Sequence, residues 1–182
     1  SLTEEQAIDE IEKVFENSVN AHKISDVEVG CFLSSGVDSS YVSTYFADQK
    51  TFTVGFDFGE KYNEISWAQR LSKKIGVDHH YKLIKSEEFW GSIKKVQYHM
   101  DQPLADPSCI ALYFVSKIAS EHVKVVLSGE GADELFGGYT CYNDPRVFKV
   151  YQKLVPYGLR KGICSLMKKL PDIKGRDYLI RA

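Results

Sequence analysis

Residues 126–139 have the sequence VLSGEGADELFGGY, and this stretch carries most of the information about the fold. It continues a compact apolar run, Val123 to Leu127, that is typical of a buried strand. Gly129 and Gly131 begin a GxGxxG pattern, but Glu134 stands at the third glycine, so the dinucleotide-binding fingerprint is not met. The three carboxylates of the stretch repel one another unless a cation or a cationic substrate group lies among them. We therefore predict a ligand site at the end of a strand, with a solvated acidic turn and helix cap as the alternative.

A second unusual segment, residues 34–40 with the sequence SSGVDSS, follows the strand-like run from Val27 to Leu33. Small residues let backbone N–H groups come close to an anion. Asp38 would repel a bare phosphate, so it makes sense chiefly as a ligand of Mg²⁺ bound beside one. The Walker pattern is absent because no Lys follows Gly36. Hydroxyl groups able to donate further hydrogen bonds to phosphate oxygens belong to Ser34, Ser39 and Ser40. An ordinary capped turn is the alternative.

Strand-like runs alternate with helical periodicity along the rest of the chain. We predict strands at 27–33, 51–56, 79–84 and 123–127, and helices at 3–20 (capped by Thr3), around 41–46, at 63–75, at 86–98 and after Pro107. This alternation predicts an α/β fold: a doubly wound, mostly parallel sheet with helices on both faces, followed by C-terminal helices. In such sheets ligands bind at the carboxyl ends of the strands, which is where the two unusual segments lie.

Composition excludes several classes of protein. The 182 residues are 43% hydrophobic and 26% charged, the balance of a soluble globular protein. Apolar runs are too short to span a membrane, and no signal peptide opens the chain, so we expect no membrane partner. The four cysteines form no CxxC pair, which favours reduced thiols and a cytoplasmic location. Because the chain begins at Ser1 without Met and ends in a charged segment at Ala182, we expect it to be a fragment.

The charge is unevenly distributed. Residues 146–182 carry ten Lys or Arg and two Asp, a net charge of +8, while the remainder carries −10. Apolar residues recur at helical spacing through this basic tail, so we interpret it as the basic faces of amphipathic helices. A nucleic-acid partner is the less favoured alternative.

Three smaller features each have a structural interpretation. Residues 101–108, DQPLADPS, are expected to form a proline-set turn capped by Asp106 or Ser108. His79 and His80 are adjacent in a predicted strand, so they should face opposite ways rather than share a metal. The two tryptophans, Trp67 and Trp90, lie on helical apolar faces and are expected in the core.

The two unusual segments resemble known motifs. Residues 34–40 resemble the PP-loop, S-G-G-x-D-S, of the N-type ATP pyrophosphatases, with Ser35 in place of the first glycine. If that glycine needs a positive φ, Ser35 strains the loop. Residues 128–139 resemble the S-G-[ED]-G-x-D-E-x-F-G-G-Y signature of the asparagine synthetase family, which includes β-lactam synthetases. The resemblance extends from about Ile24 to Tyr139.

The resemblance implies a site for ATP and Mg²⁺. Residues that match nucleotide-contacting positions of the family are Leu33, Ser34, Ser35, Gly36, Asp38, Ser39, Ser40, Val54, Ser128 and Gly129. Asp38 and Asp133 match the Mg²⁺-binding aspartates, and Glu130 matches the glutamate that serves the second half-reaction. The implied domain organisation is a nucleotide-binding domain at 1–145 and a truncated basic helical extension of it at 146–182.

The resemblance also implies an activity. In this family the β-carboxylate of aspartate attacks the α-phosphorus of ATP to give β-aspartyl-AMP and pyrophosphate, and ammonia then displaces AMP to form asparagine. Nothing here matches the glutaminase domain that supplies ammonia, and a lysine that the family carries past the second motif is not assignable. We therefore expect the fragment alone to be inactive or weakly active. The alternatives are an amide ligase acting on another carboxylate, similar to β-lactam synthetase, and a non-catalytic ATP-binding module. The oligomeric state is left open.

Overall fold

A computed structural model describes residues 2–59, 63–103, 105–142, 150–151 and 153–167. The chain divides into two compact units, residues 1–131 and residues 132–182. The domain division that the sequence suggests, between residues 145 and 146, stays a prediction.

The first unit alternates helices and strands from end to end. Its helices are α1 (Glu4–His22), α2 (Val37–Ser43), α3 (Ile65–Ile75), α4 (Ser86–His99) and α5 (Ser108–Ser120), and its strands are β1 (Val29–Phe32), β2 (Lys50–Phe56), β3 (Asp78–Ile84) and β4 (Val125–Leu127). Most of these boundaries lie within two residues of those expected from periodicity and turn signals.

The four strands form one parallel sheet in the order β3-β2-β1-β4. Cys31 of β1 is in register with Thr51 of β2 on one side and with Leu127 of β4 on the other. From β1 the chain runs outward through β2 to β3 and then returns to place β4 on the opposite side of β1. The topological switch point therefore lies between β1 and β4, and the predicted α/β class with a parallel sheet is confirmed.

Helices cover both faces of the sheet. On one face, Val19 of α1 and Val42 of α2 pack with Val29 and Cys31 of β1. On the other face, residues of α4 and α5 pack against β2, β3 and β4 in two clusters of buried side chains: Phe52, Val115, Ala119 and Val123 in one, and Ile84, Val96, Ile110 and Phe114 in the other. Because successive side chains of a strand face opposite ways, β1 contributes Cys31 to the first face and Phe32 to the second.

Local capping explains where several helices begin and end. Thr3 forms a capping box with Gln6 at the start of α1, which confirms the predicted cap. Gly76 ends α3 in the left-handed region at φ +75°, a conformation that favours glycine. Asp106 accepts a hydrogen bond from the Ser108 N–H group at 2.9 Å just before α5, but the N-cap of α5 is Pro107, so the predicted cap at Asp106 or Ser108 is wrong.

One expectation about the core needs correction. Trp90 is 64% exposed and Trp67 is only half-buried, so the predicted core placement is wrong for Trp90. The apolar side chains of α1 reach the core only at its C-terminal end, through Phe15 and Val19, whereas Ile8, Ile11 and Val14 are exposed. Helical periodicity locates an apolar face but does not say what covers it.

The two adjacent histidines of β3 face opposite sides of the sheet, as predicted. His79 Nδ1 lies 3.0 Å from the Thr51 hydroxyl, whereas His80 stacks on Phe52 and His122. No helix within the described ranges is both long and apolar enough to cross a bilayer.

The second unit is described in part. It contains α6 (Ala132–Phe136), a 3₁₀ turn (Thr140–Tyr142) and α7 (Tyr157–Met167). Much of the basic tail, residues 146–149, 152 and 168–182, lies outside the described residues, so its predicted helices are observed only in part, at 150–151, 153–154 and over α7.

Candidate functional site

Three backbone N–H groups of the loop after β1 donate hydrogen bonds to protein side chains. Ser34 N–H donates to Ser39 Oγ at 3.1 Å, and Gly36 N–H donates to Ser34 Oγ at 3.1 Å. Ser35 N–H donates to a carboxylate oxygen of Glu64 at 3.0 Å. The three successive amides that the sequence predicts to face an anion therefore all have protein acceptors in this structure.

The serine hydroxyls of the loop form a compact cluster. The hydroxyls of Ser34 and Ser39 lie 2.7 Å apart, and Ser40 Oγ donates to the Gly36 carbonyl. Gly36 itself has φ −69° and ψ 150° as the N-cap of α2. Ser35 is not among the described non-glycine residues with positive φ, which are Asp48 and Asp101, so it does not strain the loop.

The loop after β4 lies directly against the loop after β1. A Cβ atom on Gly129 would lie 2.7 Å from Ser39 N and 2.8 Å from the carbonyl carbon of Asp38. Ser128 Oγ and Glu130 Oε1 are 3.5 Å apart, and Gly131 turns the chain at φ +92°. Ser128, Gly129 and Glu130 therefore lie beside Asp38 at the switch point between β1 and β4, where the sequence predicted a site.

The two apolar site residues are packed in the core. Leu33 is 2% exposed, its N–H group donates to the Phe52 carbonyl, and its own carbonyl accepts the Thr53 hydroxyl at 2.5 Å. Val54 is half-buried and contacts both clusters beneath α5. Leu33 directly follows β1, and Val54 lies in β2 two residues before its carboxyl end.

Three carboxylates of the site form no ion pair with the residues that the structure describes. None of the ion pairs formed by the described residues involves Asp38, Glu64 or Glu130. Within the described part of the chain, no three His, Cys, Asp or Glu side chains are grouped closely enough to hold a metal ion by themselves. A cation at this edge would have to take most of its ligands from a bound molecule or from water.

The remaining predicted metal ligand, Asp133, lies in α6 of the second unit. Its carbonyl accepts the Gly138 N–H group at 3.0 Å, and its side chain lies so close to Gly138 that a Cβ atom there would overlap it. Tyr139 donates to Glu134 at 2.8 Å, and this hydrogen bond raises the pKa of the Tyr139 hydroxyl to about 12. The end of the glycine-rich stretch is thus a compact turn with its own contacts.

Two residues of the site were missed by sequence reasoning. Glu64, at the start of α3, contacts the loop 29 residues before it, and Thr53 of β2 bonds the carbonyl of Leu33. No local pattern identifies either residue, because both contacts depend on which strands are neighbours.

A cavity of about 300 Å³ lies elsewhere, among residues of β3 and α5. Its lining includes His80 and His122, whose ring centroids are 4.0 Å apart, and none of the predicted site residues. This cavity is therefore separate from the candidate site formed by the two loops.

A parallel sheet with two polar, glycine-containing loops at its switch point is the architecture of the α/β nucleotide-binding folds. The chain belongs to the asparagine synthase family, whose profile matches residues 10–178. It is 40% identical to the glutamine-hydrolyzing asparagine synthetase 1 of Bacillus subtilis strain 168, over 98% of this chain and 29% of the relative. A protein of Mycobacterium bovis is 41% identical over 95% of this chain and 27% of its own length. Asparagine synthetase B of Escherichia coli K12 is 31% identical over 80% of this chain and 30% of its own length.

Proposed function

We propose that this chain is the nucleotide-binding part of a glutamine-dependent asparagine synthetase. The proposed reaction is ATP-dependent adenylation of aspartate to β-aspartyl-AMP, followed by amidation with ammonia to give asparagine, AMP and pyrophosphate. The chain spans less than a third of the relatives named above, so ammonia would come from a glutaminase domain outside it.

The observation that carries the proposal is the contact between the loops after β1 and β4. Gly129 lies against the backbone of Asp38 and Ser39, and the two loops meet at the switch point of the sheet. Ligands of doubly wound folds bind at that point. The motif match gives Leu33 and Val54 the proposed role of contacting a nucleotide bound there.

The groups at the first loop fit the pyrophosphate portion of ATP. The loop offers the backbone amides of Ser34, Ser35 and Gly36 and the hydroxyls of Ser39 and Ser40, all capable of donating to phosphate oxygens. Each donor now has a protein acceptor, so phosphate binding would exchange one acceptor for another rather than fill an empty site.

The acidic residues fit a divalent cation held jointly with the nucleotide. Mg²⁺ characteristically binds one or two carboxylates together with phosphate oxygens and water. Asp38 forms no ion pair with the described residues, and the motif match gives Asp38 and Asp133 the proposed role of Mg²⁺ ligands. When bound, Mg²⁺ would neutralise the charge that builds on the phosphate oxygens.

The proposed chemistry relies mainly on positioning and charge. The first loop would hold the phosphates in line with the attacking carboxylate of aspartate. Glu130, exposed beside Ser128, would take a proton from the attacking ammonia in the second step. The amide ligases that act on other carboxylates would use the same activation step. That the carboxylate substrate is aspartate is therefore itself a part of the proposal.

The first test is a calorimetric titration of MgATP into the wild-type chain and into Asp38→Asn and Asp133→Asn, with and without aspartate. The proposal predicts saturable, Mg²⁺-dependent binding that each variant weakens by about tenfold or more, because each loses a charged ligand. Asp9→Asn, a change at an exposed residue of α1, is the matched control and should bind as the wild type does. A folded wild-type chain that binds no MgATP would contradict the proposal for this chain.

Aspartate-dependent exchange of labelled pyrophosphate into ATP, measured in the full-length protein, tests the adenylation step. Exchange that requires aspartate supports the asparagine synthetase assignment. Exchange that requires a different carboxylate would replace it by the related amide ligase. Tight ATP binding with no exchange in the presence of any carboxylate would support the alternative of a non-catalytic ATP-binding module. The backbone of Ser35, which does not have a positive φ, argues against a loop weakened at that position.

A further inference from the structure

One contact at the first loop is not explained by the motifs. The N–H group of Ser35, in the middle of the loop after β1, donates to the Glu64 carboxylate at 3.0 Å. The neighbouring amides of Ser34 and Gly36 donate to neutral serine hydroxyls. Ser35 is thus the one of these three loop amides that already binds an anion.

Glu64 is held at this position by the residues on either side of it. Asn63 Oδ1 accepts the Ile65 N–H group at 3.1 Å, and Ile65 is only 7% exposed. Both side chains lie so close to Gly55 of β2 that a Cβ atom there would come within 2.5 Å of Asn63 and 2.9 Å of Ile65. The segment that carries Glu64 therefore packs tightly on the end of β2, next to the loop after β1.

We propose that Glu64 is a further residue of the nucleotide site: its carboxylate accepts the Ser35 N–H group and must leave it before a phosphate group can bind there. This inference rests on the proposed function, because it assumes that the loop takes the phosphates of ATP. Glu64 acts as a positioning residue that holds the loop and competes with the ligand.

The physical argument is competition between two anions for one donor. A phosphate oxygen accepting the Ser35 N–H group would occupy the place that the carboxylate oxygen now holds. A carboxylate that stayed nearby would repel the phosphate, since like charges a few ångströms apart disfavour each other's ionised form. Removing the charge of Glu64 while keeping its shape should therefore strengthen the binding of ligands that carry pyrophosphate, and leave unchanged the binding of ligands that do not.

The test is a titration of the wild-type chain and of Glu64→Gln with three probes: inorganic pyrophosphate with Mg²⁺, MgATP and adenosine. The Gln amide is isosteric with the carboxylate and can still accept the Ser35 N–H group, so the loop keeps its support. We expect Glu64→Gln to lower the dissociation constants of pyrophosphate and MgATP by about threefold to tenfold. The dissociation constant of adenosine should not change, and a purely structural role would not produce this split.

Glu87→Gln is the matched control. Glu87 is an exposed glutamate in the first turn of α4, so its substitution should leave all three dissociation constants unchanged. The chemical shift of the Ser35 amide, followed by NMR during the pyrophosphate titration, supplies a second readout. In the wild type, this chemical shift should change as pyrophosphate replaces the Glu64 carboxylate. In Glu64→Gln, the same change should occur at a lower concentration of pyrophosphate.

The outcomes separate this inference from the proposed function. If the wild type binds pyrophosphate and Glu64→Gln binds it equally or more weakly, Glu64 does not compete and the inference is overturned while the nucleotide site stands. If only Glu64→Gln binds measurably, both are supported. If neither protein binds pyrophosphate or MgATP, the loop is not a phosphate site and both are overturned.

Discussion

Gly129 packs directly against Ser39, so that a Cβ atom on Gly129 would lie 2.7 Å from the backbone nitrogen of Ser39. The same atom would lie 2.8 Å from the carbonyl carbon of Asp38. The two polar loops can therefore touch only because the residue at position 129 has no side chain.

The substitution Gly129→Ala should separate the two loops. The new methyl group meets backbone atoms, which cannot move aside as the end of a side chain can, so we expect a loss of about 1–3 kcal/mol in the free energy of unfolding. MgATP binding should weaken as well, because the contact between the loops carries the proposed site. Urea denaturation and calorimetry would measure the two effects.

Gly91→Ala is the matched control for that substitution. Gly91 lies within α4, and apart from its chain neighbours and the backbone of its own helix no described atom lies within 4 Å of its potential Cβ position, so alanine should stabilise the helix by about 0.5–1 kcal/mol. A stable Gly129→Ala protein with unchanged MgATP affinity would show that the close contact of the loops is not needed for binding.

Thr53→Val should destabilise the core where β1 and β2 meet. The Thr53 hydroxyl donates to the Leu33 carbonyl, and both residues are 2% exposed, so valine would remove a donor where water cannot replace it. The expected loss is about 1–3 kcal/mol, measured by urea denaturation. Thr44→Val removes a similar hydroxyl hydrogen bond at an exposed residue and should change stability by less than about 0.5 kcal/mol. Equal effects of the two substitutions would be inconsistent with this reasoning.

His79 should make the chain less stable in mild acid. Burial lowers the pKa of His79 to about 4, and its Nε2 atom is buried with no hydrogen-bond partner among the described residues. Below the ordinary histidine pKa of 6.5 the unfolded chain therefore binds a proton that the folded chain does not.

The stability associated with the lowered pKa of His79 is fully present above pH 6.5 and is lost as the pH falls from 6.5 toward 4. Because the side chain is only half-buried, we expect a loss of about 1–2 kcal/mol across this range. His79→Gln cannot titrate, so its unfolding free energy should change less over the same pH range. His99→Gln, at an exposed histidine of α4, should behave as the wild type; identical pH profiles for all three proteins would rule out this role of His79.

Cys31 should be unreactive in the folded protein. Its side chain is fully buried in β1, and burial raises the pKa of its thiol to about 12, so almost no reactive thiolate exists at pH 8. Iodoacetamide followed by peptide mapping should modify the half-buried Cys109 in the native chain, and Cys31 only after denaturation in urea. Rapid native labelling of Cys31 would mean that β1 opens readily.

Much of the fold follows from local pattern in this chain. The apolar runs predict β1 to β4, and the alternation of strands with helices predicts a parallel sheet covered on both faces. Thr3 was recognised as a cap, because capping depends on residues only two or three positions away. The two loops were located because unusual glycine, serine and carboxylate content stands at strand ends.

What the sequence by itself determined is therefore the set of elements and the chemistry of the loops. Only the tertiary structure decided that β4 lies beside β1, that Gly129 touches Ser39, that Glu64 holds the Ser35 amide and that Trp90 is exposed. The physical reason is range: helix and strand periodicity, capping and turn geometry depend on residues a few positions apart. Strand order and the contacts that follow from it depend on how separate elements pack, and no local pattern encodes that packing.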